Sequence, residues 1–183
     1  GAAVSDLKFN VLYEAPGAVT DWGYLPLREE FIAAHKADKE IRFQVGELLI
    51  TQGGSDTYGQ TPRILLALEL AASRPRCTVV VGPAFRHEAE LENAVAASSF
   101  EVKVLRDPHN LADRFMEADL AITAGGLMMA ELCCAGTPGI VVCGDRWEIE
   151  TAARLERAGA VVNLGSGLDL DFRCIAPVFD ALC

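Results

Sequence analysis

From Glu47 onward the chain repeats one unit: a short apolar or β-branched run, a turn containing Gly or Pro, then a stretch whose apolar residues recur at helical spacing. Strands joined through helices lie parallel, so this alternation commits the chain to an α/β fold. Strands are predicted at 47–51, 78–81, 102–105, 120–123, 139–143 and 160–163, several of them apolar on both faces, as in a parallel sheet covered on each side. Helices are predicted at 60–73, 86–98, 110–118, 127–135, 148–158 and 172–182. Pro62 sits in the first turn of one of these, and Gly136 and Gly159 stand just past the ends of two others. The expected fold is a Rossmann-like parallel sheet with helices on both faces, over residues 46–183.

Residues 1–45 break the rhythm, with Pro16, Gly17, Gly23 and Pro26 ahead of a short amphipathic stretch at 27–34. They are read as an interdomain segment arriving from another domain. Gly1 reads as an expression scar, so the native start is expected upstream. At 183 residues the chain suits one domain with an appendage, and a hydrophobic fraction of 51% with 23% charged residues is that of a folded globular protein. The net charge of -10 disfavours nucleic acid and anionic membranes and points to a small molecule or a protein as partner. No apolar run approaches the roughly 20 residues of a membrane span, and no signal peptide opens the chain, so a soluble, cytoplasmic protein is expected. The cysteines, Cys77, Cys133, Cys134, Cys143, Cys174 and Cys183, lack metal-ligand spacing. They are read as reduced thiols, and neither a metal nor a cofactor is expected.

Three strand-to-helix turns carry the candidate chemistry. Gly53, Gly54 and Ser55 follow the first strand, where glycines let backbone approach a ligand and Ser55 or Asp56 can cap the helix; a plain tight turn explains the same residues. Gly125 and Gly126 open the turn before Leu127, with Glu131 about one turn further on. Free N–H groups at that helix start suit a phosphate, and the carboxylate suits ribose hydroxyls; the alternative is a turn followed by an ordinary polar face. After the strand ending at Cys143, Arg146 can face a phosphate and Trp147 can stack on a base or sugar, or both can serve local pairing and packing. A GxGxxG fingerprint is absent. His35, His87 and His109 lack a Ser or Cys partner, leaving the catalytic residues unknown, and Asp107–Asn110 reads as a turn and helix cap.

Taken together, "LLITQGGSD", "TVVVGPAF", "ADLAITAGGLMMAELCCAGTPGIVV" and "LERAGAVVNLG" resemble the C-terminal domain of the UDP-sugar hydrolases of pseudaminic-acid biosynthesis. A spore-coat polysaccharide group and the GlcNAc transferase of peptidoglycan synthesis share this GT-B arrangement. The resemblance spans about 46–165, and "GYLPLREEF" resembles the family's interdomain segment. It implies that this half binds a UDP-sugar facing an N-terminal GT-B domain. Gly53, Gly54 and Ser55 then line the cleft, Gly125 and Gly126 meet the diphosphate, and Glu131 meets the ribose. In the hydrolases water attacks the anomeric carbon and UDP leaves, with a histidine of the N-terminal domain that nothing here matches. A glycosyltransferase half and a noncatalytic binding module are the alternatives. The chain departs from the family where Leu127, Met128 and Met129 replace Ser or Thr hydroxyls, and where Trp147-Glu148 replaces an Asn-Gln pair.

Overall fold

The computed structural model describes residues 27–183, so Pro16, Gly17, Gly23 and Pro26 lie outside the described residues. Six parallel strands, β1 (Glu47–Thr51), β2 (Arg76–Val81), β3 (Val102–Arg106), β4 (Leu120–Thr123), β5 (Gly139–Cys143) and β6 (Val161–Ser166), form one sheet in the order β3-β2-β1-β4-β5-β6. The expected α/β Rossmann-like sheet is therefore what the chain forms. β1 sits between β2 and β4 at the centre, with Leu48 paired to Cys77 on one side and Leu120 on the other. The connection reverses direction between these neighbours, and such a switch point opens a crevice at the C-terminal ends of the strands.

Strand residues alternate between two cores. Leu48, Ile50, Leu120, Ile122, Ile140 and Val142 face α2 (Gln60–Leu68), α3 (Glu88–Ala97) and α7 (Ile175–Asp180). Leu49, Ala121, Val141 and Cys143 face α1 (Glu29–His35), α4 (Leu111–Glu117), α5 (Leu127–Cys134) and α6 (Arg146–Arg157). Two buried faces explain why β1, β4 and β5 are almost unbroken apolar runs. α1 joins the second core through Phe31, whose ring meets Phe115 edge-on at 5.7 Å.

Several boundaries differ from the sequence reading. α2 stops at Leu68 instead of Ser73, because Asp180 accepts hydrogen bonds from the amides of Ala72 (2.8 Å) and Ser73 (3.0 Å) and holds them outside the helix. α6 begins at Arg146, two residues before the expected start, because Glu148 reaches back to the Asp145 amide, half of a capping box. The last helix divides into a 3-10 turn, Phe172–Cys174, and α7. β2 starts at Arg76, and β6 runs over Val161–Ser166 in place of 160–163. Gly136 (φ +64°) and Gly159 (φ +77°) adopt the left-handed conformation expected past α5 and α6.

Candidate functional site

A cleft of about 360 Å³ opens over the C-terminal ends of β1 and β2, between the turns that follow them and α5. Its first wall is backbone. Thr51 ends β1, and Gly53 (φ +78°) and Gly54 turn the chain across the sheet, with open space within 4 Å of where a Cβ would stand at either glycine. Asp56 completes this loop by accepting hydrogen bonds from the amides of Gln60 (2.7 Å) and Thr61 (2.8 Å) at the start of α2. Asp56, not Ser55, is thus the cap, while the Ser55 hydroxyl lies 2.9 Å from that of Thr57 and outside the cleft lining. Gly82, after β2, supports the wall from behind: a Cβ there would stand 2.4 Å from the Gly54 Cα.

The opposite wall comes from α5. Leu127 and Met128 line it with apolar surface, and Glu131 closes the base. Glu131 is only 1% exposed, and its Oε1 accepts a hydrogen bond from Arg28 Nε at 2.9 Å. Burial pushes the Glu131 carboxyl up from its ordinary value, and the Arg28 hydrogen bond and charge oppose that shift. Arg28 also pairs with Glu30 (3.1 Å), whose Oε1 takes the Leu111 amide at the start of α4, and it lies 4.9 Å over the Phe31 ring. Of the charged residues lining the cleft, Arg28 is the cation, and Asp107 and Glu131 are the carboxylates.

The third turn stands apart from this lining. Arg146 and Trp147 belong to the first turn of α6, both exposed, and the Trp147 Cη2 lies 3.6 Å from the Cβ position of Gly126. Glu148 fills the space against Gly125. Its Oε2 accepts hydrogen bonds from the amides of Gly144 (2.8 Å) and Asp145 (3.4 Å), with a lesser contribution from that of Gly125. A Cβ on Gly125 would fall 2.5 Å from Oε2. Burial raises the Glu148 carboxyl above its ordinary value, and the Gly144 and Asp145 amides pull it back.

Of the residues expected from sequence, then, Gly53, Gly54, Leu127 and Glu131 are brought together in the cleft. Ser55, Gly125, Gly126, Arg146 and Trp147 are not part of its lining. Sequence reasoning missed Arg28, Gly82, Pro83, Asp107 and Pro108 as lining residues. A signal existed for Gly82 and Pro83, which follow a strand of the same sheet just as Gly53 follows β1. None existed for Arg28, which reaches Glu131 across 103 positions. Asp107, with φ +44°, turns the chain after β3, and Asn110 caps α4 by accepting from the Asp113 amide at 3.3 Å. Among the described residues no cluster of three His, Cys, Asp or Glu can hold a metal ion, and no helix is long and apolar enough to cross a membrane. All six cysteines are free, and burial raises the Cys77 and Cys143 thiols to about 12.

The fold of this sheet and its helices matches a known structure. The crystal structure of MurG from Acinetobacter baumannii superposes with a TM-score of 0.66 at 18% identity, over 96% of this chain and 50% of that one. The chain has the fold of half of MurG. The sheet and its helices are the Rossmann-like arrangement of a GT-B domain. The spore coat polysaccharide biosynthesis protein SpsG of Bacillus subtilis (strain 168) is 28% identical over 158 residues, 85% of this chain and 44% of that protein. The UDP-N-acetylglucosamine–N-acetylmuramyl-(pentapeptide) pyrophosphoryl-undecaprenol N-acetylglucosamine transferase of Thiobacillus denitrificans is 31% identical over 147 residues, 76% of this chain and 40% of that protein. The chain thus spans less than half the length of these two relatives. No family model matches it.

Proposed function

We propose that this chain is the nucleotide-sugar-binding half of a GT-B enzyme, holding a UDP-sugar in the cleft between the Gly53–Gly54 turn and α5 for transfer of the sugar. The observation that carries the reading is the pairing of an open Gly53–Gly54 wall with the Glu131 carboxylate across the switch point. Bare backbone admits a diphosphate closely, and a carboxylate at the cleft base is an acceptor for the two ribose hydroxyls. Arg28 hydrogen-bonds that carboxylate, opposing the upward push of burial, and is the cation of the cleft lining. The MurG-like fold and the glycosyltransferase name of the Thiobacillus relative support transfer over the hydrolysis expected from sequence. Fold alone does not specify chemistry, so the ligand is argued from the cleft. The acceptor and any catalytic base are assigned to a second, N-terminal domain of the same GT-B enzyme.

Calorimetric titration with UDP tests the reading. Saturable binding is expected, weakened about 10- to 100-fold by Glu131→Ala, the range for losing a hydrogen bond to a charged group. Glu131→Gln, which keeps an acceptor beside Arg28, is expected to fall between the two. Absence of binding at millimolar UDP overturns the proposal in favour of a noncatalytic module. The replacement of hydroxyls by Leu127 and Met128 along the cleft is the observation that favours that second reading.

A further inference from the structure

We propose that Glu148 is a specificity-determining residue of this site: its carboxylate occupies the amide-lined recess over Gly125 and Gly126, keeps phosphate out of it, and confines a bound diphosphate to the Gly53–Gly54 side of the cleft. The proposal rests on the UDP reading above and goes beyond it by saying where the phosphates lie and what decides it.

Two glycines at the start of α5 are the feature expected to admit a phosphate, but the side chain they admit is one of the chain's own. An ideal Cβ on Gly125 meets Glu148 Oε2 at 2.5 Å and Cβ at 2.6 Å, and one on Gly126 meets Oε1 at 3.1 Å. The carboxylate therefore lies flat against both glycines, and the amides of Gly144 and Asp145 are spent on it. An arriving phosphate has to displace an anion already bound or sit beside it uncompensated.

The charge acting on Glu148 is of its own sign. The Asp145 carboxylate acts on Glu148 from the same turn, the Tyr58 hydroxyl from the β1–α2 loop donates to Asp145 Oδ1 at 3.3 Å, and the Cys143 thiol faces Glu148 from the end of β5. Among the described residues no lysine or arginine makes an ion pair with Glu148. Like charges at contact distance in a partly buried site oppose each other strongly. The Gly53–Gly54 wall has open space before it and Arg28 in the same lining. Electrostatics and sterics thus agree on one side of the cleft.

The test compares the unaltered chain with Glu148→Gln, which keeps the shape and an acceptor for the Gly144 amide, and with Glu148→Ala. UDP affinity is measured by calorimetry, and backbone amide shifts are followed by NMR during titration with UDP and with inorganic pyrophosphate. The expected result is UDP binding at least about tenfold tighter in Glu148→Gln, the effect of about 1.4 kcal/mol of relieved repulsion. Pyrophosphate is expected to shift the Gly125, Gly144 and Asp145 amides in the variants, and the Gly53 and Gly54 amides but not those three in the unaltered chain. Unchanged or weaker UDP binding in both variants overturns the inference while leaving the UDP site standing. So does movement of the Gly144 and Asp145 amides in the unaltered chain. Binding by Glu148→Gln but not by the unaltered chain upholds the inference and overturns the reading of a working UDP site. No binding of either probe by any of the three overturns both.

Discussion

Gly82 shows how much one missing methyl group can matter. A Cβ there would stand 2.4 Å from the Gly54 Cα and 2.6 Å from its carbonyl oxygen, both backbone atoms that cannot rotate aside. Gly82→Ala is expected to cost about 1–3 kcal/mol by overpacking, read as a lower Tm, and to weaken UDP binding by displacing the Gly53–Gly54 wall. Glu148 makes a prediction of the opposite sign. Its carboxyl has a higher pKa in the folded chain, raised by burial, than in the unfolded one. The folded chain therefore binds more protons between the two values, and stability falls as pH rises through that window. Glu148→Gln removes this penalty, so its Tm is expected to exceed that of the unaltered chain at pH 7.5, with the gain vanishing below the ordinary carboxylate range. Equal Tm differences at both ends of a pH series sink this account. The sequence reading reached Glu148 as a departure from a family pattern but not as an occupant of the recess. Its partners Gly144 and Asp145 are local, yet Gly125, the face it covers, comes from another strand's end.

At the scale of elements, Lys39 ties its own segment to two other pieces of chain at one point. Its Nζ donates to the carbonyls of Phe115 (2.7 Å) and Ala118 (2.8 Å) at the end of α4, and to the Thr137 hydroxyl (2.6 Å) ahead of β5. A cation at a helix C-terminus also meets the negative end of the helix dipole. Lys39→Met is expected to destabilise the chain by about 1.5–3 kcal/mol, the range for hydrogen bonds to a charged group, measured by urea denaturation. β1, β4 and β5 were legible in sequence because burial on two faces leaves an apolar run. The start of α6 was not, because its first turn, Arg146 to Glu148, is solvent-facing, with Trp147 exposed, and is set by the Glu148 side chain, so no hydrophobic periodicity marks it. The end of α2 is fixed by Asp180 from the far end of the chain. Local propensity cannot see such a partner.

For the whole molecule, the cleft faces outward from the C-terminal edge of the sheet, and the chain matches half of the MurG chain. We expect it to bind UDP without turning over a UDP-sugar by itself, checked as UDP release with and without the complementary domain. Turnover by this chain alone overturns the division of labour between halves. The fold class and the glycine turns followed from the sequence, because alternating strands and helices restrict the topology to a few arrangements. The Arg28–Glu131 pair did not, because it joins the segment before the sheet to the middle of the fold.

The strand order also has a kinetic consequence. Leu48 of β1 pairs with Leu120 of β4, and α2, β2, α3, β3 and α4 intervene in the chain. Central pairing of this kind closes a long loop before any contact compensates for it, which slows folding. The crevice exists only once β1 and β4 have met, so in a refolding experiment ligand-binding capacity emerges after helical circular dichroism has largely recovered.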